Sequence, residues 1–382
     1  MNVARVQLMS PDKLSSDLIS IWRSHQTADE NLRGPFFSPE YIRMAASVRP
    51  EVTVAVIETP GQAPAFLPFH RDRSNVALPV GLRANDFSGL IAPPGYTWSP
   101  EAVIRSCGLT GWDFSNVVTS DRTMEPYFRV FEDAPYLDLR RGFDGFAKER
   151  GTSGSDLVRS VAQKSRKMER EVAPMRFEAH TLDRHALQLL FDWKAAQRER
   201  TATFDVLGTP WMREMVGQLI VTNTDTLAGL LSVLYAGDQV AAVHLGIRSD
   251  TVWHYWFAAY NHELQRYSPG LIILVEMIRW APALGIQTLT LGKGDEPYKL
   301  RFASGSTQLA SGSVDCRLTR RLTNAIWYAA RTASRRSSVV AGLANKGKIS
   351  EAEVVVTPNG VAFEVEIGNT EYLKQDLAAA LA

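Results

Sequence analysis

Three strand-like runs, 227–235, 240–248 and 251–259, follow one another with almost nothing between them. Ala236-Gly-Asp-Gln239 and Ser249-Asp250 are connections of hairpin length, so the runs are expected to pair as an antiparallel meander. What flanks the meander narrows the fold further. On its amino side, Leu187, Leu190, Phe191 and Trp193 recur at helical spacing within 186–200, and a second helix starts with Pro210 as its first residue. On its carboxyl side come a loop at 262–268 and an apolar helix from Pro269 to about Leu284, closed by Gly285. A short strand at 288–291 then leads into Gly292-Lys-Gly-Asp-Glu-Pro-Tyr-Lys299. Helices, meander, helix, strand, helix is the order of an α+β (mixed α/β) domain.

The first third reads as another α+β domain. Alternating runs at 52–57, 65–69 and 76–80 are separated by turn residues such as Pro60-Gly61 and Arg71-Asp-Arg-Ser74, with a later pair at 112–114 and 135–139. At 382 residues the chain has room for two domains and an extension. The expected division is 1–147, a basic connecting helix at 148–176, a second domain at 177–310, and an extension at 311–382. The extension reads as a basic amphipathic helix at 317–336, a hairpin at 353–366 around Pro358-Asn-Gly360, and a last helix at 370–381. The sequence contains no internal repeat, although both halves are α+β and of similar size.

Composition excludes several classes. Apolar residues make up 45% and charged residues 22%, which is globular, and a net charge of +1 gives DNA or an anionic membrane little whole-molecule attraction. Cys107 and Cys316 are too few for a disulfide framework, a zinc cluster or an iron–sulfur site, so no metal is expected and a reducing compartment fits. Residues 1–14 lack the apolar stretch of a secretory signal, and the longest apolar run, 271–278, carries Glu276 and falls short of the roughly 20 residues that span a bilayer. These features predict a cytoplasmic protein with no transmembrane segment. Local charge is a separate matter: 148–176 carries Lys148, Arg150, Arg159, Lys164, Arg166, Lys167, Arg170 and Arg176 against four acidic residues. That is either a phosphate- or RNA-binding helix or a solvated connector with i,i+4 ion pairs. The 317–336 helix likewise either touches a membrane peripherally or packs on the body.

Ser268-Pro269-Gly270-Leu271 opens the apolar helix with a good N-cap, a proline at the first position and a glycine that leaves amides uncovered. Such an end either receives an anion, with Arg266 adding a charge-assisted contact, or is an ordinary cap. Glu296, Tyr298 and Lys299 stand where the short strand ends; Glu296 has the chemistry of a base for an amine or hydroxyl, while the ordinary reading is a glycine turn, a cap and a solvated lysine. His244 alternates with Ala242 and Gly246 on one strand face, as a base or as a satisfied core histidine; His254 points away from Trp253 and Tyr255. Lys194 and Arg198 lie one turn apart and suit an anionic acceptor or a wet face, and Asn85, Asp86 and Ser88 suit an acceptor contact from the first domain. No His/Cys/carboxylate spacing suggests a metal, and no Gly-x-Ser-x-Gly elbow suggests a hydrolase.

Several stretches together resemble the GNAT superfamily, in particular the CelD-like acetyltransferases associated with polysaccharide biosynthesis, which are similar to the FemABX transferases. They are Asn85-Asp-Phe-Ser-Gly89, Ala134-Pro-Tyr-Leu-Asp-Leu139, Phe191-Asp-Trp-Lys194, Val240-Ala-Ala-Val-His244, Tyr267-Ser-Pro-Gly-Leu271 and Leu291-Gly-Lys-Gly-Asp-Glu-Pro-Tyr-Lys299, covering about 35–305. The resemblance implies two tandem GNAT-like domains, each a twisted mixed sheet flanked by helices, with acetyl-CoA or another acyl-CoA bound by the second as co-substrate. It implies that Arg266, Tyr267, Ser268, Pro269, Gly270 and Leu271 hold the donor phosphates. Glu296 or His244 would serve as base, Tyr298 would return a proton to the leaving thiolate, and Lys194, Arg198, Asp86 and Lys299 would meet a sugar, nucleotide-sugar or amine acceptor. Two other functions stay open: a FemABX-like aminoacyl-tRNA-dependent transferase using 148–176 for the tRNA, and a non-catalytic partner of a polysaccharide synthase.

Overall fold

A computed structural model describes residues 5–201, 204–294, 296–317, 320, 324, 352–357 and 360–365. The first half runs β1 (Arg5–Met9), α1 (Ser16–Ala28), α2 (Pro39–Val48), β2 (Val52–Glu58), β3 (Ala65–Arg71), β4 (Val76–Leu78), α3 (Pro100–Ser106), β5 (Gly111–Val118) and β6 (Phe128–Asp138). Two helices, α4 (Gly142–Thr152) and α5 (Leu157–Glu171), lead to the second half. It runs β7 (Met175–Glu178), α6 (Arg184–Thr201), α7 (Pro210–Ile220), β8 (Ala228–Ala236), β9 (Gln239–Arg248), β10 (Val252–Tyr260), α8 (Pro269–Trp280), β11 (Thr288–Thr290), α9 (Pro297–Phe302) and β12 (Gly305–Asp315). The expected mixed α/β architecture is what the chain adopts: a large mixed sheet flanked by helices.

All twelve strands form one sheet in the order β1-β2-β3-β4-β5-β12-β6-β11-β10-β9-β8-β7. Each half contributes strand, two helices, an antiparallel three-strand meander, helix and strand, and in each the fourth and fifth strands pair in parallel. The last strands are exchanged: β12 lies between β5 and β6, and β6 lies between β12 and β11. The division expected at 310/311 therefore falls inside β12, and the two halves share hydrogen bonds rather than meeting across a linker.

Local sequence explains the elements. Ser38 caps α2 by accepting from Tyr41 N, with Pro39 at the first position. α8 is apolar on nearly every side because it is enclosed, with the sheet behind it and α5 in front: Ile273, Leu274 and Met277 share a core with Trp253, Tyr255 and Leu289 of the sheet and with Leu157, Val161 and Met168 of α5. The segment 148–176 is thus an integral layer, with the basic side of α5 outward and its apolar stripe on α8.

Contacts divide the described chain into two units, 1–193 with 206–316, and 194–205 with 317–382. In the second, Lys194 Nζ donates to Gln197 Oε1 at 3.0 Å, and β13 (Ala352–Thr357) pairs antiparallel with β14 (Gly360–Val365). The helix expected at 370–381, and most of that at 317–336, lie outside the described residues.

Candidate functional site

β10 carries the site. Its pairing with β9 shifts register between His254 and Phe257, so the strand bulges there. On its other side β10 pairs with β11 only through Val252, Trp253 and His254. From Tyr255 onward no strand among the described residues pairs with that edge, and the sheet opens between β10 and β11. The backbone groups of 255–260 that do not pair with β9 face this gap.

The sheet face opposite α8 holds a hydrogen-bonded chain. His254 has no exposed surface; its Nε2 lies 2.9 Å from Asp86 Oδ2 and its Nδ1 lies 2.8 Å from Thr290 Oγ1. Asp86 reaches it from the first half, 168 positions away, and Phe36 and Phe87 of that half set their rings edge-on to the imidazole at 4.9 and 5.9 Å. A further bond between halves, Trp256 Nε1 to Ala84 O at 2.8 Å, fixes the approach. Thr290 also lines a cavity of about 390 Å³ with Phe36, Phe87, Tyr136, Gln287, Thr288 and Gln308, and Arg33, Asp138 and Arg140 stand at the same cavity.

At the other mouth of the gap lies the amino end of α8. Ser268 is left-handed, φ 56°, and its hydroxyl accepts from Lys164 Nζ at 2.7 Å instead of capping the helix. Arg266 donates to Tyr267 Oη, which donates to Glu171 Oε2 at 2.8 Å; Arg266 and Glu171 are 3.9 Å apart, and the guanidinium is two-thirds exposed. The expected anion-binding end is therefore uncapped and flanked by cations, one of them Lys164, which sequence placed only in a generic basic segment. The signal was available: at spacings of four, three and four with Leu157, Val161 and Met168, Lys164 sits on the buried stripe of α5 where an apolar residue belongs.

The other expected residues are dispersed. His244 is wholly buried on the α8 side, its ring stacked on Tyr255 at 4.4 Å with neither nitrogen bonded among the described residues, and burial holds its pKa well below the usual value. Glu296 is half exposed and pairs with Lys299 Nζ at 3.0 Å; that ammonium also donates to Lys293 O at 2.6 Å and is itself buried. Tyr298 packs against the α8 core, and burial, helped by the charge of Glu296, pushes its hydroxyl far above the ordinary tyrosine range. Lys194 and Arg198 belong to the second unit; burial and the neighbouring Arg198 push the Lys194 amine down to about 8. Gly292, φ 68°, lets Asp86 and His254 approach: a Cβ there would lie 2.6 Å from Asp86 Oδ2.

In the first half the corresponding opening between β4 and β5 is occupied by the chain itself. Ser88 bridges to Val117 of β5, and Ile91 bridges to Phe66 of β3. The segment that fills this opening is the one that delivers Asp86 to His254. Among the described residues no group of His, Cys, Asp and Glu side chains is arranged to hold a metal ion, and no helix is long and apolar enough to cross a membrane.

Residues 155–300, from α5 to α9, match a family described as an acetyltransferase (GNAT) domain. No curated protein matches the chain. Among solved structures, FemX superposes with a TM-score of 0.52 at 11% identity over 84% of this chain and 99% of its own. The C-terminal DUF2156 domain of an Agrobacterium fabrum protein gives 0.49 at 12% over 81% and 96%, and a tandem GNAT protein from the clavulanic acid biosynthesis pathway gives 0.43 at 11% over 82% and 99%. The likeness to FemX is one of fold.

Proposed function

We propose that this chain, whose second half carries a GNAT-type acetyltransferase domain, transfers an acyl group directly from acyl-coenzyme A to an amine or hydroxyl of a small polar acceptor. The carrying observation is the opening between β10 and β11, which leads from the cation-flanked end of α8 to the Asp86–His254–Thr290 face. In this reading the Gly270 amide, Arg266 and Lys164 hold the donor phosphates, since free helix N–H groups and nearby cations favour a dianion. Backbone N–H groups at the β10 bulge polarise the thioester carbonyl, a contribution of roughly 3 kcal/mol in comparable sites. The acceptor occupies the cavity over Thr290. Its amide and hydroxyl side chains, Gln287, Thr288 and Gln308, with the aromatic rings of Phe36 and Tyr136, suit a sugar or nucleotide sugar, the acceptor class of polysaccharide synthesis.

Calorimetric titration with acetyl-coenzyme A and coenzyme A tests the donor. Because the first-half opening is filled by its own chain, a stoichiometry of one donor per chain is expected. Gly270→Glu should abolish binding without unfolding the protein, because a Cβ there meets only Tyr260, at ordinary contact distance of 3.4 Å, while the added carboxylate opposes phosphate. Absence of heat and of thermal stabilisation with both ligands would overturn the coenzyme A reading.

A further inference from the structure

We propose that Thr290, His254 and Asp86 form a proton relay in which Thr290, not the buried histidine, meets the acceptor. The inference rests on the acyltransferase reading above.

The direction of each hydrogen bond follows from chemistry. An ionised aspartate only accepts, so the 2.9 Å contact with Asp86 Oδ2 places the ring proton on Nε2 of His254. A neutral imidazole then offers Nδ1 as acceptor, so the Thr290 hydroxyl donates to it across 2.8 Å. The result is a hydroxyl bonded to an imidazole that is bonded in turn to a carboxylate, the order in which a hydroxyl's proton is drawn onto a ring. Exposure assigns the roles. His254 is fully enclosed by Phe36, Phe87 and its own strand and cannot touch a substrate, whereas Thr290 is half buried and lines the cavity. In such an apolar enclosure an imidazolium forms only beside a paired negative charge, which Asp86 supplies.

In the reaction, the acceptor oxygen or nitrogen bonds to the thioester carbonyl carbon while its proton passes to Thr290 Oγ1 and the threonine proton passes to His254 Nδ1. Asp86 holds the imidazolium. When the carbon–sulfur bond breaks, the proton returns through Thr290 to the departing thiolate, leaving acylated acceptor and free thiol. Thr290 is the catalytic group, His254 stores the proton, and Asp86 is a positioning residue.

Nitrogen-15 NMR of histidine-labelled full-length protein reads the tautomer without any donor, so its outcome is separable from failure of coenzyme A to bind. A bonded but unprotonated Nδ1 and a protonated Nε2 are expected for His254, with Thr290→Val moving the first signal and Asp86→Asn the second. A protonated Nδ1 in the unaltered protein would sink the relay. Release of thiol from acetyl-coenzyme A, with glucosamine or water as probe acceptor, supplies the kinetic arm. Thr290→Ser should stay within about threefold, whereas Thr290→Val and Asp86→Asn should lower kcat about a hundredfold at unchanged KM for acetyl-coenzyme A. Unchanged kcat in Thr290→Val, or an acetyl group found on Thr290 after incubation without acceptor, would overturn the relay.

Discussion

Gly292 is the residue on which the Asp86–His254 contact depends most closely. Its φ of 68° suits glycine, and a Cβ would crowd Asp86 Oδ2 at 2.6 Å, so Gly292→Ala must displace the carboxylate. We expect kcat to fall by about ten- to a hundredfold with donor affinity unchanged, and stability to drop by about 1–2 kcal/mol. Steady-state kinetics, calorimetry and urea denaturation on the one variant separate these effects. Sequence offered a turn shaped by Gly292 as one of two readings of that stretch and indicated that His254 points away from Trp253 and Tyr255. What it did not show is that the face presented by His254 would be met by Asp86. That partner comes from the other half of the chain, and no local periodicity encodes a contact across 168 positions. His244, by contrast, shares a face with small residues as its alternation indicates, but the space they leave is taken by the indole of Trp253 rather than left for a ligand.

At the scale of elements, α5 carries one polar residue on an otherwise apolar buried face. Leu157, Val161 and Met168 fix its buried face, and Lys164 interrupts that face only where it reaches Ser268. Lys164→Met should preserve the packing while removing a cation from the amino end of α8; if that end holds the donor as proposed, acetyl-coenzyme A binding weakens by about tenfold in calorimetry, with a larger loss at low salt than at high salt. The strands of both meanders were legible because β-branched and aromatic residues alternate between clear turns. β12 was not. Its sequence, rich in glycine and serine, lacks apolar alternation, yet it occupies the middle of the sheet, and Gly312 is required there because the Tyr127 carbonyl fills the space of a side chain. β1 and β7, short edge strands that expose much of their surface, carry little pattern to read.

Across the molecule, acid sensitivity is distributed between the halves. Burial and the neighbouring Arg49 push His70 down to about 4, and burial also lowers His180 and His244. Folded His70 remains neutral down to about pH 4 but binds a proton when unfolded below about pH 6.5, so stability is full above that pH and declines as pH falls toward 4, and the lowered His180 and His244 act in the same direction. His70 alone should contribute a loss of about 3 kcal/mol over this window. Urea denaturation between pH 7 and 4.5 should show this decline, reduced in slope by His70→Gln. The repeated order of elements, invisible as sequence similarity, is plain in the sheet, which reads the same from either end apart from the exchange of β6 and β12. That exchange carries a consequence for biosynthesis. The first half leaves the ribosome with the place between β5 and β6 vacant, and the strand that fills it, at 305–315, is the last of the sheet to be made. The first half therefore cannot finish folding until the second is nearly complete, and the nascent protein must keep the unpaired edges of β5 and β6 from sticking to its neighbours until β12 arrives.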